Sequence, residues 1–97
     1  MKNIIAHLDK AFESRVRLGI MSMLMVNESV DFKTIKETLD VSDGNLASHL
    51  SALEKKEFII VTKKFIERKP NTSYSASDQG RLAFQKHLRA LEDLIGK

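Results

Sequence analysis

Within one ten-residue stretch, Ser42, Asp43, Gly44, Asn45, Ser48 and Ser51 offer short, mostly polar side chains. Such a set suits close hydrogen bonding to another surface. Ser42 stands where a helix N-cap belongs, its hydroxyl able to accept from an orphan N–H of the first turn. The first-turn N–H groups would suit a phosphate. Gly44 has no side chain, so the backbone there can come close to a partner. Asn45 and Ser48 are the candidates to reach base edges of a nucleic acid, and Asn can pair bidentately with adenine. Asp43 would repel phosphates unless it accepts from a cytosine amino group or holds another side chain. His49 sits beside an apolar face, where packing with a satisfied hydrogen bond is expected ahead of base contact.

A second set is cationic. Between Lys55 and Pro70, six cations (Lys55, Lys56, Lys63, Lys64, Arg68, Lys69) stand against two anions, Glu57 and Glu67. The net charge is only +3, so this local excess says more about phosphate contact than the total does. The competing reading is a solvated strand edge that lysines keep from aggregating. Arg68 and Lys69 are the foremost candidates for phosphate or minor-groove contact. Lys63 and Lys64 support them, and Thr72 completes the set. Strand alternation sends one of those two lysines away from the contact side. Cysteine is absent, and His7, His49 and His87 contain no i, i+4 pair, so neither a metal site nor a cofactor is expected. No nucleophile–base pair, phosphate-cradling glycine loop or carboxylate pair presents itself, and an enzyme is not expected.

Elements must hold these residues in place. At 97 residues, 42% of them hydrophobic, the chain fits one folded domain over 1–97. A chain this short buries roughly 60–65% of its unfolded surface, enough for one core. Leu46, Leu50 and Leu53 recur at i, i+4 and i+7 and line one face of a helix over about 42–54. Just ahead, Phe32, Ile35 and Leu39 form a shorter helical pattern capped by Asp31. Only Asp40 and Val41 separate the two, so they cross sharply. This is the layout of a helix-turn-helix over about 31–54, a motif whose second helix enters the DNA major groove. Asp40 tolerates the left-handed backbone such a turn uses.

Upstream, Lys2–Leu8 is a short helical candidate that needs a partner surface to be stable. Ser14 caps a helix running to about Val26. Val16, Ile20, Met23 and Leu24 form its buried stripe, and Met21, Met23 and Met25 serve as adaptable core filler. Val30–Phe32 adds a brief strand. Downstream, Phe58–Ile66 is rich in β-branched and aromatic residues and predicts a strand. Glu67–Asn71, with Pro70, predicts a loop, and Thr72–Ala76 a shorter strand. Together they make a hairpin over about 58–76. Ser77 caps a last helix over about 78–95.

Leu39-x-Val41-Ser42-x-x-x-Leu46-x-x-His49-Leu50-x-x-Leu53-Glu54 resembles the helix-turn-helix of the MarR and ArsR winged-helix regulators. The string from Ser42 to Leu50 resembles a group of small, stand-alone regulators of that superfamily. Arg68-Lys69-Pro70-x-Thr72-x-Tyr74, followed by Ser77-x-x-Gly80, is a second, independent match. The resemblance spans about Phe12 to Leu91. It implies a mostly α fold with a small β-hairpin, a winged helix-turn-helix whose hairpin touches the DNA backbone or minor groove. It also implies a homodimer on two half-sites one helical turn apart. Glu57 stands where relatives usually end the reading helix with glycine, so the wing's angle depends on how Glu57 is accommodated. Ser48 stands where many relatives carry arginine. Direct base readout should therefore be modest, and phosphate contacts and DNA shape should carry more of the recognition.

The last helix places Phe84, Leu88, Leu91 and Ile95 on one stripe, with Leu94 beside it. The core is expected near its start, at Ala83, Phe84 and His87. That leaves Leu88, Leu91, Leu94 and Ile95 for a second chain, together with Ile4, Ile5 and Leu8. The simpler alternative is that the stripe covers the chain's own core. No leader or membrane-length apolar run is visible, and a cytoplasmic location is expected. The resulting expectation is a dimeric regulator, a repressor by occlusion, bound to a short pseudo-palindromic duplex of double-stranded DNA. The alternative is a winged-helix protein–protein module without DNA binding. No residue marks a small-molecule effector.

Overall fold

The helices begin where the sequence supplies caps. Ser14, Asp31, Ser42 and Ser77 hold extended backbone, and their side chains accept from the N–H of Arg17, Thr34, Asn45 and Gly80. They open α1 (Arg15–Val26), α2 (Phe32–Leu39), α3 (Asp43–Lys55) and α4 (Asp78–Leu94). Hydrogen bonds from the Thr34 side chain and backbone hold the Asp31 carboxyl below the usual carboxylate range. The computed structural model describes residues 4–96, and for Ile4 the backbone alone.

Two left-handed residues end α2 and α3. Asp40, at φ 52 and ψ 57, stops α2 and turns the chain into α3. Glu57, at φ 63, takes the position where glycine is usual after α3. The Phe58 N–H donates to the Leu53 carbonyl at 3.0 Å and the Glu57 N–H to that of Glu54 at 2.9 Å. These are the two bonds of a Schellman motif. Glu57 thus does glycine's work, at a conformational cost of about 1 kcal/mol.

The sheet is antiparallel in the order β1-β3-β2, with β1 (Val30–Asp31), β2 (Ile59–Ile66) and β3 (Lys69–Ala76). The expected loop over 67–71 is not present. It shrinks to a two-residue turn, Glu67-Arg68, with φ 52 and 67, the signs a type I′ hairpin turn demands. The second strand accordingly starts at Lys69, not Thr72. Pro70 suggested a loop, but its position excuses it. The pair flanking a two-residue turn, Ile66 and Lys69, is the hydrogen-bonded one. Pro70, opposite Phe65, then falls at a pair that needs no ladder N–H.

The N-terminal helix expected from Lys2 is likewise replaced by two 3-10 turns, Ile4–His7 and Lys10–Phe12. Lys2 itself lies outside the described residues. Asp9 caps the second turn through its side chain. The Asp9 N–H donates to His87 Nδ1 at 3.0 Å and ties this segment to α4.

The core gathers Ile20, Met21 and Leu24 of α1, Ile35 of α2, the three leucines of α3, Ile59, Tyr74 and Phe84. Phe12 sits in an aromatic group, stacked on Phe58 at 5.5 Å and edge-on to Phe84 and His87 at 5.1 and 5.3 Å. The Arg81 guanidinium reaches the Leu24 and Met25 carbonyls at 3.5 Å each, placing a cation at the negative end of α1. The radius of gyration, 14.6 Å, exceeds the roughly 13 Å of a compact chain this long, and the longest axis is 57 Å. The outer hairpin and the end of α4, both mostly exposed, extend beyond the core.

Gly80 is required where it stands: a Cβ there would lie 2.0 Å from the Phe58 carbonyl oxygen. With α4 seated so closely at that point, its buried face runs through Gly80, Phe84, His87 and Ala90. Phe84 and His87 face the core as expected, Leu88 is exposed, and Leu91 is half-buried.

Candidate nucleic-acid interface

α3 is anchored by its back. Leu46, Leu50 and Leu53 are buried, while Asp43, Gly44, Asn45, Ala47, Ser48 and Ser51 are exposed. The Ser42 hydroxyl accepts the Asn45 N–H at 3.2 Å, so it serves its own helix. The N–H groups of Asp43 and Gly44 have no acceptor within the helix. A Cβ on Gly44 would meet nothing within 4 Å, so the fold itself does not demand glycine there.

Asp43 holds another side chain. Its Oδ1 lies 2.9 Å from Lys36 Nζ, across the turn between α2 and α3. Asp43 is largely exposed and Lys36 half-buried, so solvent still screens the pair and it adds little stability, about 0–1 kcal/mol. Its consequence is electrostatic, since the ammonium offsets the carboxylate at the N-terminal end of α3's front. Lys36 carried no sequence signal of this role, because the contact depends on how the two helices cross.

His49 packs as expected and is held from α1. Arg17 Nε donates to His49 Nδ1 at 2.9 Å, which leaves the imidazole proton on Nε2. Partial burial, and then the neighbouring Arg17 charge, push the His49 pKa below its ordinary value. A neutral imidazole with Nδ1 already occupied is a structural element of α3's flank. Arg17 also escaped the sequence reading; nothing periodic in α1 links it to a residue 32 positions away.

The hairpin stands beside α3. Val61, Lys63, Thr72 and Tyr74 on one face of the sheet line a cleft with Ala47, Leu50, Ser51 and Glu54 of α3. Lys63 and Thr72 therefore lie on the α3 side. Lys64, one residue along the strand, points to the other face and does not join them. Arg68 occupies the turn and Lys69 opens β3, both exposed at the tip. Glu54 is the acid in the cleft. Burial and the Glu54 charge together push the Tyr74 hydroxyl up.

Away from this face, Leu88, Leu94 and Ile95 are exposed, by 38%, 37% and 70%. Ile5 is exposed, and Leu8 and Leu91 are half-buried. The first 3-10 turn packs along α4 of its own chain. The side chain of Ile4 lies outside the described residues. Among the described residues, no helix is long and apolar enough to cross a membrane.

Residues 16–95 match the family described as winged helix DNA-binding domain. An uncharacterized protein of Methanocaldococcus jannaschii is 35% identical over 79 residues, 81% of this chain and 86% of the relative. A transcriptional regulator homologue protein from Pyrococcus horikoshii OT3 superposes with a TM-score of 0.82 at 32% identity, over 88% of this chain and 84% of that one. The YusO protein from Bacillus subtilis superposes at 0.80 with 20% identity, over 95% and 64% of the two chains, a likeness of fold alone.

Proposed function

The chain belongs to the winged helix DNA-binding domain family, and from that premise we propose that it is a dimeric transcription regulator of double-stranded DNA. The observation that carries the reading is α3 itself. It is fixed by three buried leucines, it presents a short, hydrogen-bonding front, and it lies beside a hairpin whose exposed end bears Lys63, Arg68 and Lys69.

In this reading α3 enters the major groove. The free N–H groups of Asp43 and Gly44 meet a phosphate, as helix N-termini do. Asn45 and Ser48 face base edges, and Ser42, Asp43, Gly44 and His49 set their distance from the duplex. The hairpin lies on the flanking backbone or minor groove, with Arg68, Lys69, Lys63 and Thr72 touching the DNA. Lys64, on the other face, adds charge without direct contact. Leu88, Leu91, Leu94 and Ile95, with Ile5 and Leu8, meet a second copy. Two copies then address two half-sites one helical turn apart, and bound protein represses by occlusion.

The test is fluorescence anisotropy on short duplexes, including the gene's own upstream region, across a salt series, with oligomeric state followed by sedimentation. Wild type should weaken steeply with salt. Arg68→Ala/Lys69→Ala should lower the log–log slope by about two, at roughly 0.9 for each phosphate that is no longer neutralised. A folded protein that binds no duplex at low salt would sink the regulator reading and leave a protein–protein module in its place.

A further inference from the structure

The hairpin tip carries an apolar pair that neither the core nor the cation set explains. Phe65 is 75% exposed, among the most exposed large apolar side chains described. Pro70 stands directly opposite it in the β2–β3 register. Theirs is a non-hydrogen-bonded pair, the kind in which side chains approach most closely. Along β2 the side chains of Val61, Lys63 and Phe65 fall on one face. Val61 and Lys63 line the cleft with α3. Phe65 and Pro70 therefore continue the α3 side of the hairpin out to its end.

The turn beyond them is tight and costly. Glu67 and Arg68 both hold left-handed backbone without glycine, a conformation L-residues adopt at a penalty. A longer, glycine-bearing loop would relieve it but would set the tip back from the Phe65–Pro70 pair. Around that pair stand Lys63, Arg68 and Lys69 with Glu67, and Pro70 also lines a shallow cleft with Lys33 and Asp31, so cations outnumber anions there. An exposed aromatic within a cationic rim complements a polyanion that also offers an apolar slot. Stacked bases seen from a groove are such a surface.

We infer that the tip is a wedge for the DNA minor groove. Phe65, stiffened by Pro70, presses between adjacent base pairs and opens their stack, while Arg68 and Lys69 hold the phosphates on either side. The duplex bends away from the hairpin, as it does around other apolar side chains inserted from the minor groove. Pyrimidine–purine steps unstack most easily, so the wedge selects such a step beneath the hairpin without any hydrogen bond to a base. This inference rests on the proposed DNA-binding function and adds a selectivity that α3 does not supply.

The experiment uses the full chain and a bound duplex carrying 2-aminopurine at the step under the hairpin, with end-to-end energy transfer reporting the bend. Wild type should raise the 2-aminopurine emission, shorten the end-to-end distance, and favour TA or CA over a stiff A-tract at that step by about five- to tenfold. Phe65→Ser should lose all three while keeping the wild-type salt slope, since it removes no charge. Phe65→Trp should restore them. Because Phe65 is exposed, both variants should melt with wild type. If wild type binds with its full salt dependence, yet neither bends the duplex nor distinguishes the steps, the wedge is refuted and DNA binding stands. If wild type binds no duplex but binds anionic phosphatidylserine vesicles through Phe65, both fall, and the tip is a lipid contact.

Discussion

The close approach at Gly80 makes the sharpest stability prediction. A Cβ there would lie 2.0 Å from the Phe58 carbonyl oxygen, 2.7 Å from its carbon and 2.9 Å from its Cα. All three are backbone atoms, so no side chain can swing aside. α4 would have to retreat by about 1 Å or more to bring the closest approach past 3.0 Å. That retreat stretches the bonds seating the helix, Ser77 N–H to the Phe58 carbonyl at 3.0 Å and Ser77 Oγ to the Glu57 carbonyl at 2.6 Å. Breaking two hydrogen bonds costs roughly 1–3 kcal/mol. Loosened packing of Phe84 adds about 1 kcal/mol more, and the helix preference of alanine returns at most about 1 kcal/mol. Gly80→Ala should therefore destabilise by about 1–3 kcal/mol, lowering Tm by roughly 4–24 °C for a chain this size. Thermal melts and urea titrations followed by circular dichroism measure both. Gly44→Ala is the control, because a Cβ there meets nothing within 4 Å and should leave Tm unchanged or slightly raised. A Gly80→Ala protein melting within about 2 °C of wild type would refute the steric argument.

Two further substitutions test the local chemistry. Glu57→Gly removes the penalty for a left-handed side-chain residue while keeping the Schellman bonds, and should stabilise by about 1 kcal/mol, read as a rise in urea midpoint at constant slope; an unchanged or lower midpoint would count against strain at that exit. For His49, burial and Arg17 lower the native pKa, so below about 6.5 the unfolded chain binds the extra proton more readily than the native one. The stability its neutral form contributes is thus fully present above that pH and is lost as pH falls toward the lowered native pKa. His49→Gln, with an acceptor for Arg17 but no titration, should lose less Tm than wild type between pH 7.5 and 5; equal losses would overturn this account.

Helix starts were legible in the sequence because a cap is a local device. Ser14, Asp31, Ser42 and Ser77 each need only the N–H three residues ahead. The leucine face of α3 was legible for a similar reason, since period alone selects it. The hairpin turn was not. Pro70 and Asn71 have loop-like composition, but their conformation is decided by pairing with Phe65 and Lys64 on another strand. Phe84 and His87 were legible as the inward face of α4, but its extension to Gly80 and Ala90 was not, since it depends on the close seat of Gly80 on Phe58. The candidate interface was legible as a set of residues but not as partners. Lys36 beside Asp43 and Arg17 beside His49 follow from helix crossings that no window of the chain contains.

The junction between α3 and β2 links these separate findings. Lys56, Glu57 and Phe58 end α3, start the hairpin and receive α4 at once. The Gln79 amide donates to the Lys56 carbonyl at 3.2 Å, Ser77 Oγ to that of Glu57, and the Ser77 N–H to that of Phe58. Three consecutive carbonyls therefore fix the angle at which the hairpin leaves α3 against the start of α4. The left-handed Glu57 makes the exit sharp enough for Phe58 to turn inward and stack on Phe12. Gly80 lets α4 close over the same carbonyl from outside. The cleft shared by α3 and the hairpin is thus set by backbone contacts rather than by the long cationic side chains around it. Those side chains can move to follow a ligand while the spacing between α3 and the hairpin stays as the fold dictates.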